Sequence, residues 1–508
     1  MLKSKIKIEY LVLIISVINL ILYHLPVYEF VFENLNSSGL DWFFTISSII
    51  VLIISLNALI FYAIFFLSNH LGKLLIILFF NISAISVYFV NTYGVIIDKT
   101  MIGNILNTNF DESSSFFSFN LLIYMIFLGI MPSILIYKIK IKNVKFRSFL
   151  KKVIFGIFFI VSLVYINSSN WLWIDKNSKS LGGLVMPWSY VINTSRFYMH
   201  KSQENKKQIL LPNATIKDNE KSVVVLVIGE SARSQNFSLY GYNKETNPLL
   251  SKIENIYNYK TSSCATYTTA GVKCILEHKK SRKLYEILPN YLFRNDVEVI
   301  WRTSNWGEPN VNIKKYQKKE YLKKQCKGEG CEYDEVLLSK LNDEILKSKK
   351  EKILIVLHTS TSHGPIYYKK YPEKFNKFKP VCKSVELGKC SQEELINAYD
   401  NTIVYTDYIL SSLIQNLKQL DNFNSTMLYV SDHGESLGEK NLYMHGIPAS
   451  IAPKEQLEIP FIIWHSDNSR ELKKNEFLTQ HNVFHSVLDF LAVDSPIYDP
   501  EMSIFKND

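Results

Sequence analysis

The hydrophobic positions divide the chain into two parts with different patterns. In the first part, long apolar runs alternate with short polar segments, and a helix needs about 20 apolar residues to span a bilayer. We predict five membrane-spanning helices from these runs, at residues 10–30, 43–67, 74–97, 121–137 and 153–166. The last two runs are short, so flanking aromatic residues must complete those spans.

The pattern changes after the fifth run. Residues 168–215 are amphipathic and rich in aromatic side chains, which favour the membrane–water interface, so we expect short helices lying on the outer surface. From residue 222 onward, short apolar runs alternate with longer polar segments. We predict buried strands at residues 222–228, 297–301, 353–357, 427–430 and 460–464, with a helical stretch at 393–419.

Continuous apolar strands separated by helices indicate a mostly parallel sheet covered on both faces. The predicted organisation is therefore a five-helix transmembrane domain at 1–167, interfacial bridging helices and a linker at 168–215, and an α/β domain at 216–508.

Lysine and arginine residues predict the orientation in the membrane. The net charge is +10, and basic residues cluster before the first run and between the fourth and fifth runs. Basic loops remain in the cytoplasm, so the segment 98–120 and everything after the fifth run would lie outside. Because the basic residues of this part flank apolar runs, the charge favours a membrane as partner over a nucleic acid.

The cysteines agree with an exported domain. All six follow residue 260, in the close pairs Cys264 and Cys274, Cys326 and Cys331, Cys382 and Cys390. Three local disulfides in an oxidising compartment are the simplest interpretation, although spacing alone does not fix the connectivity. Metal binding by these thiols is the alternative, but the chain has no Cys-x-x-Cys pattern.

Candidate catalytic groups follow three of the predicted strands. Glu230 follows the first, His358 follows the third, and Asp432 and His433 follow the fourth. Ligand sites in α/β sheets form beyond the carboxyl ends of the strands, so we expect these groups to converge on one edge. Glu, Asp and His together suit a zinc ion that keeps an open coordination position.

A hydroxyl group could fill that open position. The segment 261–274 carries seven hydroxyl residues between or beside two cysteines. Zinc lowers the pKa of bound water to about 7, and the same Lewis acidity would make a bound serine or threonine a nucleophile. The pattern therefore indicates a metal-dependent hydrolase or transferase.

Several longer motifs occur in order along the chain. They are GESARSQNFSLYGY at 229–242 with TNP at 246–248, SCAT at 263–266, SHGP at 362–365 before YP at 371–372, YDNT at 399–402, SDHGESLG at 431–438 and HG at 445–446. These motifs resemble those of the phosphoethanolamine transferases, which include lipid A-modifying and colistin-resistance enzymes. The resemblance extends over nearly the whole chain, including the five-helix anchor. It implies a multi-pass protein of the bacterial inner membrane with an alkaline-phosphatase-like (sulfatase-like) periplasmic domain.

The resemblance also implies roles for individual residues. Thr266 would be the nucleophile, and the catalytic zinc would be held by Glu230, Thr266, Asp432 and His433. His363 and His445 would meet the phosphate group or a second zinc, while Glu435 and His358 would lie near the site. The number of zinc ions and the resting phosphorylation of Thr266 stay open.

The segment between the third and fourth spans carries a further set of candidates. Asn104, Thr108 and Glu112 match positions that members of the family use to bind the phosphoethanolamine head group or lipid. Their four-residue spacing predicts that they share one face of a helix.

The implied reaction moves phosphoethanolamine from phosphatidylethanolamine to an envelope acceptor through a covalent intermediate on the threonine. Lipid A is the family's commonest acceptor, with a core sugar or a surface protein as alternatives. The rival functions are a sulfatase or phosphodiesterase, a glycerol-phosphate transferase, and an inactive sensor or scaffold. The chain departs from the family at 302–309, where a cysteine-containing loop is frequent, and at Lys273, where proline is frequent.

Overall fold

The chain divides into two compact units, Met1–Lys201 and Ser202–Asp508. The computed structural model describes residues 5–35, 40–108, 110–166, 171–204, 208–281, 283–466, 471–474 and 477–506. The predicted boundary between the transmembrane domain and the bridge, at 167/168, lies outside the described residues. The described residues of the predicted bridge up to position 200 belong to the first unit.

The first unit is helical. Its helices are α1 (Ile8–Tyr23), α2 (Leu25–Asn34), α3 (Leu40–Leu67), α4 (Asn69–Tyr93), α5 (Lys99–Asn107), α6 (Phe110–Ser115), α7 (Phe119–Tyr124), α8 (Met131–Lys138), α9 (Phe146–Ile166), α10 (Trp171–Lys176), α11 (Ser178–Leu184) and α12 (Trp188–Glu204). A π-helical segment, Met125–Ile130, joins α7 to α8. A short parallel pairing joins Ile6–Lys7 to Ile141–Lys142.

Four stretches of the described residues are long and apolar enough to span a membrane without a sharp bend. They are Trp42–Leu67, Asn69–Tyr93, Phe119–Lys138 and Phe146–Ile166. The first predicted span is instead a bent pair, because α1 and α2 meet at 61°. Pro26 lies in the first turn of α2, and proline has no N–H to continue the hydrogen bonds of the preceding helix. The predicted span at 10–30 is therefore not one continuous helix, and the described residues hold four candidate spans, or five if this bent pair forms one.

The aromatic segment after α9 packs into the first unit more deeply than expected. The indole N–H of Trp188 donates to Asn57 Oδ1 at 2.6 Å, and the Asn193 amide donates to the Ile97 carbonyl at 2.8 Å. Asn193 is buried. The predicted helices of this segment are present. Hydrogen bonds hold the first two turns of α12 against α3 and against the residues that follow α4.

The three candidates of the outer segment do not share one continuous helix. Asn104 lies in α5, but the helix ends at Asn107, and Thr108 caps it with a non-helical backbone. The Thr108 hydroxyl donates to the Asn104 carbonyl at 2.7 Å. Glu112 lies in the next helix, α6, and its side chain is outside the described residues. The prediction that all three residues share one helical face is therefore wrong, because Glu112 lies in a different helix from Asn104.

The second unit is built on a mixed eight-stranded sheet. Its strands are β1 (Ser222–Gly229), β2 (Ile256–Ser262), β3 (Glu298–Thr303), β4 (Lys315–Lys318), β5 (Lys352–His358), β6 (Asn424–Ser431), β7 (Glu458–His465) and β8 (Phe477–Thr479), in the order β8-β2-β7-β6-β1-β5-β3-β4. β7 runs antiparallel to both of its neighbours, and the other pairings of this sheet are parallel. All five predicted strands are present, but the antiparallel direction of β7 was not anticipated.

Helices cover the sheet and complete its core. They are α13 (Thr268–Leu276), α14 (Leu288–Arg294), α15 (Lys319–Lys323), α16 (Leu341–Leu346), α17 (Gln392–Leu417) and α18 (Asn482–Phe490). Every residue of β1 is buried, as expected for a central strand with both faces covered. α17 begins where Ser391 and Glu394 form a capping box, close to the predicted start. Two short pairings, Thr215–Ile216 with Val493–Asp494 and Ser436–Leu437 with Tyr443–Met444, lie outside the main sheet.

The cysteines form three local disulfides. They join Cys264 to Cys274, Cys326 to Cys331 and Cys382 to Cys390. The predicted disulfide framework is confirmed, with the predicted pairing. Thiol ligation of a metal by these cysteines is thereby excluded in the oxidised protein.

Candidate functional site

The carboxyl ends of neighbouring strands bring the predicted polar groups together. β5, β1 and β6 are adjacent and parallel, so their carboxyl ends meet at one edge of the sheet. Glu230 follows β1, Asp432 and His433 follow β6, and His358 ends β5. All four side chains are buried. The loop after β2 arrives at the same edge, because β2 and β6 both run antiparallel to β7.

A cluster of possible metal ligands lies at this edge. Ligand atoms of Glu230, His433 and His445 lie within 4.8 Å of one another. His433 Nε2 lies 3.5 Å from Glu230 Oε1 and 3.4 Å from Asp432 Oδ2. The structure thus groups His445, which the family resemblance assigns to the phosphate group or a second zinc, with Glu230 and His433, two of the four ligands that the resemblance implies for the catalytic zinc.

The hydrogen bonds of this cluster leave donor atoms for a cation. Asp432 Oδ1 accepts the backbone N–H groups of Ser231 and His433, at 3.0 and 2.7 Å. Asp432 Oδ2 is buried and has no hydrogen-bond partner among the described residues. His433 Nδ1 lies 2.9 Å from the Gly434 carbonyl, which assigns its proton to Nδ1 and leaves the Nε2 lone pair open. Two carboxylates and neutral imidazoles are ligands that zinc accepts, so these residues fit a zinc ion.

Electrostatics also favour a cation at this position. Burial and the nearby Glu230 carboxylate raise the pKa of Asp432 well above its ordinary value. Burial lowers the pKa of His433, which favours the neutral imidazole that metals bind. A bound dication would offset the cost of keeping two buried carboxylates close together, since opposite charge stabilises their ionised forms.

The predicted nucleophile lies in the loop that precedes α13. Thr266 is buried, and its hydroxyl donates to the Ile447 carbonyl at 2.6 Å. Its own carbonyl accepts the Gly446 N–H at 2.8 Å. These bonds tie Thr266 to the segment that directly follows His445. The Cys264–Cys274 disulfide encloses the loop.

A second threonine, Thr268, contacts the cluster directly. Its hydroxyl lies 3.3 Å from His433 Nε2 and 3.4 Å from Glu230 Oε2. Sequence reasoning missed this residue because hydroxyl groups fill the segment, and nothing in the pattern distinguishes one from another. The start of α13 at Thr268 supplies the distinction, since it turns that side chain toward the cluster.

Ser231 is another contact that the sequence pattern did not reveal. Its hydroxyl donates to Glu230 Oε1 at 2.7 Å and lies 3.4 Å from His445 Nδ1. Its backbone has φ of 52°, which is uncommon for a residue other than glycine. The Tyr399 hydroxyl donates to its carbonyl at 2.7 Å. A strained residue that contacts several candidate ligands is typical of a functional site.

Replacing Ser231 should separate the effect of its hydroxyl from that of its backbone. Ser231→Gly keeps the N–H donor and suits positive φ, whereas Ser231→Ala loses the same hydroxyl without relieving the backbone. We expect both variants to weaken zinc binding by about tenfold, the lower end for a lost outer-shell contact. The check is zinc affinity by chelator competition. A Ser231→Gly protein that binds zinc like the wild type would show that the hydroxyl contributes nothing.

The remaining predicted histidines take two different positions. The ring centroids of His363 and His445 lie 5.3 Å apart, and those of His433 and His445 lie 4.3 Å apart. His363 is therefore beside the cluster. His358 turns toward β3 and its following loop, with Nδ1 3.4 Å from Thr303 Oγ1 and 3.5 Å from Glu308 Oε2.

The loop that departs from the family pattern lies at the site. The Asn305 amide donates to Glu230 Oε2 at 2.6 Å and to the Thr359 carbonyl at 2.8 Å. Gly307 has φ of 97°, and a Cβ there would lie 3.2 Å from Thr268 Cγ2. The loop thus covers the start of α13. Asn305 is a site residue that sequence reasoning missed, although the end of β3 at the same edge was a signal for it.

Known protein families match both units of the chain. A family model described as phosphoethanolamine transferase EptA/EptB matches residues 53–202, and one described as sulfatase matches residues 222–493. Phosphoethanolamine transferase EptA of Helicobacter pylori is 39% identical over an alignment of 515 positions that covers 97% of this chain and 96% of the relative.

Two solved structures are similar in fold. The integral membrane protein lipooligosaccharide phosphoethanolamine transferase A (EptA) from Neisseria meningitidis aligns over 99% of both chains, with a TM-score of 0.89 and 25% identity. The C-terminal periplasmic domain of phosphoethanolamine transferase EptC from Campylobacter jejuni covers 59% of this chain and 97% of its own, with a TM-score of 0.52 and 35% identity.

Proposed function

The chain belongs to the phosphoethanolamine transferase family, and from this premise we propose that it transfers phosphoethanolamine from phosphatidylethanolamine to lipid A through a covalent intermediate on Thr266. The observation that carries the proposal is the buried cluster of Glu230, His433 and His445 with the unpartnered Oδ2 of Asp432. Thr266 lies in the adjoining loop and is bonded to the segment after His445.

The proposed first step forms a bond between Thr266 Oγ1 and phosphorus and breaks the bond between phosphorus and the diacylglycerol oxygen. A zinc ion held by Glu230, Asp432, His433 and Thr266, beside which His445 is a further candidate ligand, would supply Lewis acidity that favours the alkoxide of the threonine. The Ile447 carbonyl holds the hydroxyl in the resting protein. Thr266 gives up its hydroxyl proton in this step, and the leaving diacylglycerol oxygen takes one up. His363 or His445, whose rings lie beside the cluster, would accept the first proton and supply the second.

The proposed second step is displacement from Thr266 by an oxygen of the acceptor. The new bond joins that oxygen to phosphorus, and Thr266 Oγ1 leaves and regains a proton. Splitting one transfer into two displacements predicts ping-pong kinetics. His363 and His445 would stabilise charge on the phosphoryl oxygens in both steps, since both rings lie beside the cluster.

The proposed location is the bacterial inner membrane, with the second unit in the periplasm. The apolar helices of the first unit, the three disulfides and the basic segments of the first unit support this arrangement. A lipid donor and a lipid A acceptor would then share one membrane with the enzyme. The name of the Neisseria relative, a lipooligosaccharide phosphoethanolamine transferase, supports an envelope glycolipid as acceptor.

The test uses the full chain in nanodiscs with phosphatidylethanolamine labelled in its head group. We expect label on lipid A when lipid A is present, with equimolar diacylglycerol release. Label released to water at the same rate without an acceptor would favour a hydrolase. Phosphatidylglycerol supplied in parallel should leave no head group on the acceptor, and transfer of glycerol phosphate would instead favour the glycerol-phosphate transferase.

A further inference from the structure

One buried carboxylate connects a tyrosine to the candidate cluster. Glu435 is fully buried, and its two oxygens accept from different partners. The Tyr367 hydroxyl donates to Oε1 at 2.5 Å, and His445 Nδ1 lies 2.8 Å from Oε2. Tyr367 itself is 1% exposed. The hydroxyl of Tyr367 is therefore joined to the ring of His445 through a single side chain.

This arrangement determines which nitrogen of His445 carries the proton. Glu435 Oε1 already accepts from Tyr367, and with Oε2 as the second acceptor oxygen the His445 proton facing it lies on Nδ1. Nε2 of the neutral ring then keeps a lone pair for a metal ion or for a proton of the reaction. Because the Tyr367 hydroxyl occupies the other oxygen of Glu435, the carboxylate has little freedom to rotate away from His445.

The hydrogen bond between Tyr367 and Glu435 also lies directly beneath the loop that carries His363. Gly364 follows His363 directly, and a Cβ at Gly364 would lie 2.7 Å from the Tyr367 hydroxyl oxygen and 3.1 Å from Glu435 Oε1. The backbone after His363 thus packs on the hydrogen bond between Tyr367 and Glu435. Both histidines beside the cluster are therefore positioned against one hydroxyl–carboxylate contact.

Tyr367 is held rigidly enough to act in this way. Its ring lies edge-on to Tyr399 of α17, with centroids 5.4 Å apart at 87°. The Tyr399 hydroxyl in turn donates to the carbonyl of Ser231, beside Glu230. The tyrosine is fixed to the long helix and does not depend on the histidines for its own position.

We infer that Tyr367 is a positioning residue that sets, through Glu435, the tautomer and orientation of His445 and supports the placement of His363. It does not touch the reacting atoms. The inference deepens the proposed function and rests on it for the role of the histidines. Its effect on metal binding, however, can be measured without any lipid.

The test compares Tyr367→Phe with Tyr371→Phe in the full chain in detergent. Tyr371 is also a buried tyrosine of the same segment, but its hydroxyl accepts from the Asn401 amide, whereas that of Tyr367 donates to Glu435. We expect Tyr367→Phe to weaken zinc binding by about tenfold and to change the visible spectrum of the Co²⁺-loaded protein, as loss of an outer-shell contact does. Tyr371→Phe should change neither.

Glu435→Gln provides the second measurement. Its amide nitrogen is a donor, so facing His445 it would require the opposite tautomer of the ring. We expect a larger loss of zinc affinity than in Tyr367→Phe, and little further loss when both changes are combined, since they break one connection. Additive losses would overturn the inference, as would equal zinc affinity and Co²⁺ spectra in the Tyr367→Phe and Tyr371→Phe proteins.

The activity assay distinguishes failure of this inference from failure of the proposed function. If the wild type transfers no phosphoethanolamine while Tyr367→Phe alone loses zinc affinity, the proposed function fails and the positioning role remains. If the wild type transfers phosphoethanolamine and the two tyrosine variants match in kcat, KM and zinc affinity, the positioning role fails. A fall of about tenfold in kcat with KM unchanged, confined to Tyr367→Phe, supports both.

Discussion

Thr266→Ala is expected to abolish the covalent intermediate and to reduce transfer by at least about 10⁴-fold, the scale seen when a nucleophile is removed. The reason is chemical, because an alanine offers no oxygen to bond to phosphorus. Intact mass spectrometry of the protein after incubation with phosphatidylethanolamine should show one added phosphoethanolamine on the wild type and none on the variant.

The structure makes Thr268→Val the informative control for this experiment. The Thr268 hydroxyl contacts Glu230 and His433, whereas that of Thr266 donates to the Ile447 carbonyl. Valine preserves the shape of threonine and removes only the hydroxyl. We expect the Thr268→Val protein still to carry the adduct, with a slower rate. An adduct that persists in Thr266→Ala and disappears in Thr268→Val would move the nucleophile to Thr268. Thr266→Ser should retain measurable transfer.

Removal of zinc is expected to have the second large effect, on both activity and stability. Chelation should reduce transfer below detection, and added Zn²⁺ should restore it. A ligand present at 1,000 times its dissociation constant stabilises the folded state by about 4 kcal/mol, so the thermal midpoint of the second unit should rise with Zn²⁺. Thermal denaturation of the full chain with and without Zn²⁺ measures the shift.

The Asp432→Asn variant tests this prediction through the direction in which it changes stability without and with Zn²⁺. Without metal, Asp432 is a buried carboxylate whose Oδ2 has no hydrogen-bond partner among the described residues. Replacing the carboxyl with an amide should make the metal-free variant at least as stable as the metal-free wild type, because burial and the nearby Glu230 already disfavour an ionised Asp432. The variant should gain far less stability from Zn²⁺ and should be inactive. An equal zinc-induced shift in the two proteins would contradict the assignment of Asp432 as a ligand.

Sequence reasoning located the groups whose position follows from strand order. Glu230, Asp432 and His433 directly follow buried apolar strands, and such strands are recognisable from composition. Thr268, Ser231 and Asn305 were missed because their roles depend on backbone direction after a strand, which a pattern of residue types does not encode. The Ser231 contacts require a positive φ, and the Asn305 contact requires the turn of a loop without regular structure.

The same distinction applies to the fold. β2 was missed because Ile256–Ser262 is mostly polar and partly exposed, so it lacks the apolar signature of the central strands. The direction of β7 depends on the path of the connection before it, which residue types do not specify. The bend at His24 could have been predicted from the sequence, since Pro26 lies inside the first apolar run and proline interrupts a helix.

The two edges of the eight-stranded sheet bear on how these molecules behave when crowded. An open sheet edge presents unpaired N–H and C=O groups that can pair with another chain. Here the edges are β8, which has three residues, and β4, which has four and carries a lysine at each end. Short edges and lysine charges both oppose edge-to-edge pairing. The second unit should therefore resist fibrillar aggregation at high local concentration, although its central strands are almost entirely apolar.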